Sequence, residues 1–228
     1  MSPDGRWVAF FRAGKLHKVA VSGGDALTLC DANGGPGAAW GPNGRILFAE
    51  SWTGDEGLMS VSDQGGAPVR VSVTPVGDGS RQRGHWWPAF LPDGRHVLFT
   101  AFMSGAGLNN NRVGVLDLET GESRLLFPGA RPFWISSGHI LFFHAGRYQV
   151  VPFDVTTRQT TGDPQPVLED ALQLDPTGDW PQPVAVAPSG TVAYVAGRLV
   201  PDSRLAWIGR SEERRVGKEC RSRWSPCH

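Results

Sequence analysis

A proline–aspartate–glycine corner followed at once by an apolar run recurs along this chain. It constrains the fold more than any other feature. It stands as Ser2-Pro3-Asp4-Gly5-Arg6-Trp7-Val8-Ala9-Phe10, then as Gly41-Pro42-Asn43-Gly44-Arg45-Ile46-Leu47-Phe48. A third copy is Leu91-Pro92-Asp93-Gly94-Arg95-His96-Val97-Leu98-Phe99. Degenerate copies run from Trp134 to Phe142 and from Val186 to Tyr194. Proline sets the first central turn residue near φ of about −65°. Asp or Asn suits the next position, and glycine accepts the left-handed backbone that closes a hairpin. Each copy therefore predicts strand, turn, strand.

The corner glycines fall at 5, 44, 94, 138 and 190, so the spacings are 39, 50, 44 and 52 residues. Short strands repeating on that period are the signature of propeller blades. One blade can be read in full as four strands, Trp86–Leu91, Arg95–Phe102, Arg112–Leu118 and Ser123–Phe127. Second hairpins close at Gly23-Gly24 and Gly65-Gly66. Strands such as His96–Phe102 are apolar on both faces, as expected where neighbouring blades cover each side. A sandwich would alternate more cleanly. No sustained helical period occurs. Pro152 lacks a ladder donor and predicts a bulge or a strand end. The expected fold is all-β, a β-propeller fragment of four to five four-stranded blades, incomplete at both ends. The first blade lacks an innermost strand, and the fifth stops after Arg204–Ile208.

The composition fits a turn-rich chain with a real core. Gly and Pro number 30 and 18, yet 40% of the residues are hydrophobic, with nine Trp and eleven Phe to fill space. From Arg210 the character changes abruptly to dense charge. Residues 210–220, RSEERRVGKEC, correspond codon by codon to a translated short-read sequencing adapter. Residues 210–228 are accordingly expected to be a non-native tail, and residues 1–209 the domain. The whole chain carries 22 basic and 22 acidic residues. Setting aside the tail's six Lys/Arg and three Asp/Glu leaves 16 and 19, a net charge of −3. No nucleic-acid partner is expected from that balance. Cys30 is the one cysteine outside the tail, so no disulfide framework or paired-cysteine metal site is expected. No apolar run reaches the roughly 18 residues of a membrane helix.

The corner phrase resembles the TolB-like, WD40-like propeller repeat, closely at Ser2–Phe10 and Leu91–Phe99. Asn43 and Ser189 replace the Asp in two other copies, and the Pro is lost at Ser136–Phe142. The stretches SPDGRWVAFFRAGKLHKVAVSGGDALTLCDA, RPFWISSGHILFF and VVPFDVTTRQTTGDPQPV resemble the propeller C-terminal to a kinase domain and a membrane helix in bacterial serine/threonine protein kinases. That resemblance implies a non-catalytic, extracytoplasmic sensor or protein-interaction domain. Two alternatives stay open: the propeller of a prolyl-oligopeptidase-type peptidase, and a periplasmic TolB-like envelope protein.

Motifs for catalysis are scarce. There is no Gly-x-Ser-x-Gly elbow and no kinase Gly-rich loop, His-Arg-Asp or Asp-Phe-Gly. The glycine clusters at 34–37 and 105–107 lack the strand, lysine and helix of a phosphate loop. The histidines lack metal-ligand spacing. No enzyme activity and no cofactor are expected. Contact residues are sought instead on the long loops, Trp52–Gly57, Thr74–His85, Ser104–Arg112 and Asp170–Pro183, which in a propeller share one face. The candidates are Trp52, Arg81, Arg83, His85, Trp86, Asn109, Asn110, Asn111 and Trp180, binding a protein or small molecule the sequence does not identify.

Overall fold

A computed structural model describes residues 1–52, 57–74, 82–104, 108–168, 171, 184–187 and 190–197. Three strands form the first sheet: β1 (Trp7–Arg12), β2 (Lys15–Ala20) and β3 (Leu27–Asp31). The second runs β4 (Ala38–Trp40), β5 (Arg45–Ala49), β6 (Leu58–Ser62), β7 (Val69–Arg70). The third runs β8 (Gln82–Phe90), β9 (His96–Met103), β10 (Arg112–Asp117), β11 (Ser123–Pro128). The fourth runs β12 (Ala130–Ile135), β13 (His139–His144), β14 (Arg147–Asp154), β15 (Gln159–Thr160), with β16 (Gln165–Val167) also on β14. A last hairpin pairs β17 (Val184–Val186) with β18 (Val192–Tyr194). Every pairing is antiparallel between strands close in sequence, and the described residues contain no α-helix.

The corners are built as their residues predict. In the third blade Asp93 Oδ1 accepts the N–H groups of Arg95 (3.0 Å) and His96 (2.9 Å), and Gly94 takes φ of 66°. The second blade departs from this. Asn43 itself turns left-handed at φ 61°, and the corner closes one residue sooner, Gly41 N–H to Arg45 O. Asn tolerates that conformation better than most side chains.

The core lies between the sheets, and in the second, third and fourth sheets one central strand serves two interfaces. Ile46 and Phe48 face the first sheet with Leu16 and Leu29, whereas Leu47 and Ala49 face the third with Trp86 and Phe99. Leu98 faces the fourth with Ile140 and Phe142. Leu141 and Phe143, with Tyr148 of β14, then meet Val184 of the last hairpin. Successive residues of a strand point to opposite faces, so a strand apolar at every position must be covered on both sides. The innermost strands β4, β8 and β12 touch in series, which places the sheets side by side around a hub. The fold is the predicted all-β propeller fragment.

Pro152 does not end its strand. β14 continues through it, paired with His139 of β13. Phe153 N–H turns toward β13, bonding Gly138 O, so Pro152 presents its missing donor on the opposite, outer edge. There β14 exchanges partners, from β16 at Tyr148–Val150 to β15 at Phe153–Asp154. The break expected within the strand falls on its outer edge.

Candidate functional site

At the rim, the end of the sheets opposite the tight corners, the described residues are organised around Trp86. Its ring stacks on Phe102 at 3.9 Å and 14°. Trp87 meets it edge-on at 5.6 Å and 86°, and Trp52 leans over it at 6.1 Å. Trp52 keeps 48% of its surface exposed, while its Nε1–H donates to Gly34 O at 2.8 Å. That hydrogen bond fixes the ring while about half of its surface stays open to solvent.

Two adjacent tryptophans reach one cluster because the strand is not regular. β8 shifts register between Trp86 and Ala89, and Trp87 sits at φ 46°. A left-handed tryptophan costs on the order of 1–3 kcal/mol and has to be held by its surroundings. Here Trp87 N–H donates to Pro36 O at 2.8 Å, across to the preceding blade. The same position recurs four residues before each corner-opening residue, at Gly37 (φ 95°) and Arg131 (φ 51°). Gly37 carries no side chain where Trp87 passes, and a Cβ there would stand 2.8 Å from Trp87 Cδ1. Arg131 bonds Thr100 Oγ1 through its backbone N–H (2.8 Å) and Val184 O through Nη2 (3.2 Å). It thereby ties three successive blades together. It also opposes the effect of burial on Tyr148, whose hydroxyl burial nevertheless pushes up to about 12.

The candidate residues divide. Trp52, Asn109 and Asn110 are exposed on the rim, and Asn109 Oδ1 accepts the Ala145 N–H at 3.2 Å from the next blade. Arg83 is exposed on β8. Arg81 and Trp180 lie outside the described residues. Three assignments need correction. Trp86 is 3% exposed and forms the floor of the cluster, not its surface. Asn111 is fully buried, and its Oδ1 accepts the Met103 N–H at 3.0 Å, which ties the residue ahead of β10 to the end of β9. His85 is fully buried as well, because β8 begins at Gln82, within the stretch expected to be a loop.

His85 packs 4.2 Å from the Phe99 ring, with Nδ1 2.7 Å from Ser72 Oγ and Nε2 against the Gln82 amide. Ser72 Oγ in turn accepts the Leu58 N–H at 2.7 Å. Burial lowers the His85 pKa to about 4, so the ring is neutral at physiological pH. It is a structural hydrogen-bond hub beneath the rim. Sequence reasoning missed Trp87 and Phe102 as members of the cluster. The signal for Trp87 was the Trp-Trp pair itself, but a bulge that turns both rings together leaves no local mark.

Chemically the described rim offers a fixed aromatic ring at Trp52 and exposed amide groups at Asn109 and Asn110. Among the described residues no group of three His, Cys, Asp or Glu is placed to hold a metal ion, and no helix is long and apolar enough to cross a membrane.

No family model matches the chain, and no curated protein matches it. Solved structures do. TolB from Acinetobacter baumannii superposes with a TM-score of 0.62 at 17% identity, over 90% of this chain and 50% of that one. A luciferin-regenerating enzyme gives 0.60 at 12% identity, over 86% and 66%. A puromycin hydrolase gives 0.51 at 21% identity, over 85% and 32%. The expectation that the chain is no enzyme is overturned by these neighbours, because enzymes stand on the same scaffold and absent kinase and hydrolase motifs do not exclude other chemistry. This chain spans about half the length of the TolB structure, and what it shares with all three is the β-propeller fold.

Proposed function

We propose that this chain is the binding part of a larger protein, a propeller domain that contacts a protein or small molecule through the rim around Trp52. The observation that carries this reading is the half-exposed Trp52 ring, anchored by Gly34 and backed by the buried ring of Trp86, which itself stacks on the partly buried Phe102. A large aromatic held in place loses little conformational freedom on binding, which is why such residues dominate contact surfaces. Asn109 and Asn110 stand on the same rim as polar partners. By resemblance the parent is a bacterial serine/threonine protein kinase, with the propeller as its extracytoplasmic sensor.

A second reading keeps the same rim and changes the parent. The fold shared with a puromycin hydrolase, of which this chain covers about a third (32%), favours a propeller that accompanies a peptidase domain. Sequencing the gene on both sides of residues 1–209 separates the two: a kinase and membrane helix upstream, or a hydrolase with a serine elbow alongside.

The binding role is tested with Trp52→Ala and Asn110→Ala. Both side chains are exposed, so the melting temperature should hold within a few degrees. Capture of a partner retained by the unsubstituted chain should fall about tenfold or more. Undiminished capture by the double variant would remove the rim from consideration.

A further inference from the structure

On the opposite, tight-corner face, a cleft of about 280 Å³ opens where the third and fourth blades diverge. Register explains who lines it. His96 pairs with Asp117, and Leu98 with Val115, across β9 and β10. Val115 then pairs with Arg124 on β11, and Asp117 N–H bonds Glu122 O just before it. Residues two apart on a strand share a face, so Glu122 and Arg124 both point to the side of Val115 and Asp117. From the fourth blade Arg158 closes the far wall.

The charges in this cleft are unusual in what they leave undone. Asp117 is already engaged, accepting Arg95 Nε (2.8 Å) and Nη2 (2.5 Å), which holds its carboxyl below the usual range. His96 Nδ1 lies 2.6 Å from Asp93 Oδ2. Arg124, Arg158 and Glu122 line the same cleft, yet none forms an ion pair among the described residues. Arg124 is nevertheless held across the blade boundary, its Nη2 donating to Arg158 O at 2.7 Å. That carbonyl is aimed by the left-handed backbone of Arg158, φ 55°. One donor of a fixed five-donor fork is spent and the rest remain.

We propose that this cleft is a binding site for a small zwitterion of the α-amino-acid type. Arg124 and Arg158 take its carboxylate, Glu122 takes its ammonium, and Val115 forms the apolar floor. With Asp117 already paired to Arg95, the charges left are Glu122 and Arg124 on one wall and Arg158 on the other, which match a ligand carrying both signs better than a simple anion, which would face Glu122, or an amine, which would face two guanidiniums. The volume sits at the lower end of the roughly 300–1,000 Å³ typical of ligand pockets, which suits a single amino acid and not a dinucleotide-sized cofactor. The site is separate from the rim, so its fate is independent of the function proposed above.

The test is calorimetric titration of the full chain with the free protein amino acids, and then with the N-acetyl derivative and methyl ester of whichever binds. A free amino acid should saturate the site below roughly 10 mM. Removing either charge from the ligand should weaken binding about tenfold or more. Arg124→Gln and Glu122→Gln should each do the same with the melting temperature unchanged, since both side chains are exposed. The proposal is overturned if no amino acid saturates in that range. Equal binding of the N-acetyl derivative, meaning a plain anion site, also overturns it, as do variants that titrate like the parent chain.

Discussion

At the scale of single residues, the rim depends on groups that never touch solvent. His85 shows the consequence most sharply. In the unfolded chain its pKa is near the ordinary 6.5, and in the fold burial lowers it to about 4. Between those values the unfolded chain binds the proton and the folded one does not, so protons favour unfolding. The stabilisation is complete above pH 6.5 and is lost as pH falls toward 4. About 3 kcal/mol is at stake, from 1.36 kcal/mol per unit of pKa difference. Urea unfolding at pH 7.0 and pH 4.5 should show that fall superimposed on the general acid response of the carboxylates. His85→Gln, which keeps hydrogen-bonding ability without a titrating ring, should reduce the slope in this window. An unchanged slope would mean that His85 is hydrated in solution.

At the scale of elements, the start of β10 is held against the end of β9 by one side chain. Asn111 supplies an acceptor to Met103 through Oδ1, and its own carbonyl accepts the Gly129 N–H at 2.9 Å. Asn111→Ala leaves the Met103 N–H without that acceptor in a partly buried position, a loss of about 1 kcal/mol. Hydrogen exchange should quicken at Met103 and at the start of β10 before it quickens in β13, and uniform acceleration would contradict that order. The elements also show how far the chain could be read directly. The corners were legible because Pro and Gly act through their own backbone and Asp through bonds to N–H groups two and three residues on. The cover on both faces of β9 was legible because His96–Phe102 has no polar side to present. The start of β8 was not. Gln82-Arg83-Gly84-His85 is polar enough to pass for loop, and it becomes strand only because Ser72 and Phe99 supply a buried partner and a ring for His85. The convergence of Trp86 and Trp87 was hidden for a similar reason. It depends on Pro36 O and the bare Gly37 of another blade, contacts some fifty residues away in the chain.

At the scale of the whole molecule, stability is a relay between neighbours. Among the described sheets, the second, third and fourth each contribute to the core on either side, the first sheet and the last hairpin to one side only, and no sheet has a core of its own. Such an arrangement is sensitive at its outermost members. Among the described residues β1 is bonded to β2 along one edge and to no strand along the other. Val8 in the middle of that strand is 38% exposed. A row of unpaired backbone donors and acceptors with apolar side chains is a template for another chain. The chain of residues 1–228 should therefore self-associate at micromolar concentration, eluting from size exclusion as dimer or larger with a position that moves on dilution. Val8→Lys places a charge on that edge without touching the corner at Gly5, and it should shift the population toward monomer while the far-ultraviolet spectrum stays that of a β protein. A single sharp monomer peak for the unsubstituted chain would show that the edge is already covered in solution, and the lysine variant would then change nothing.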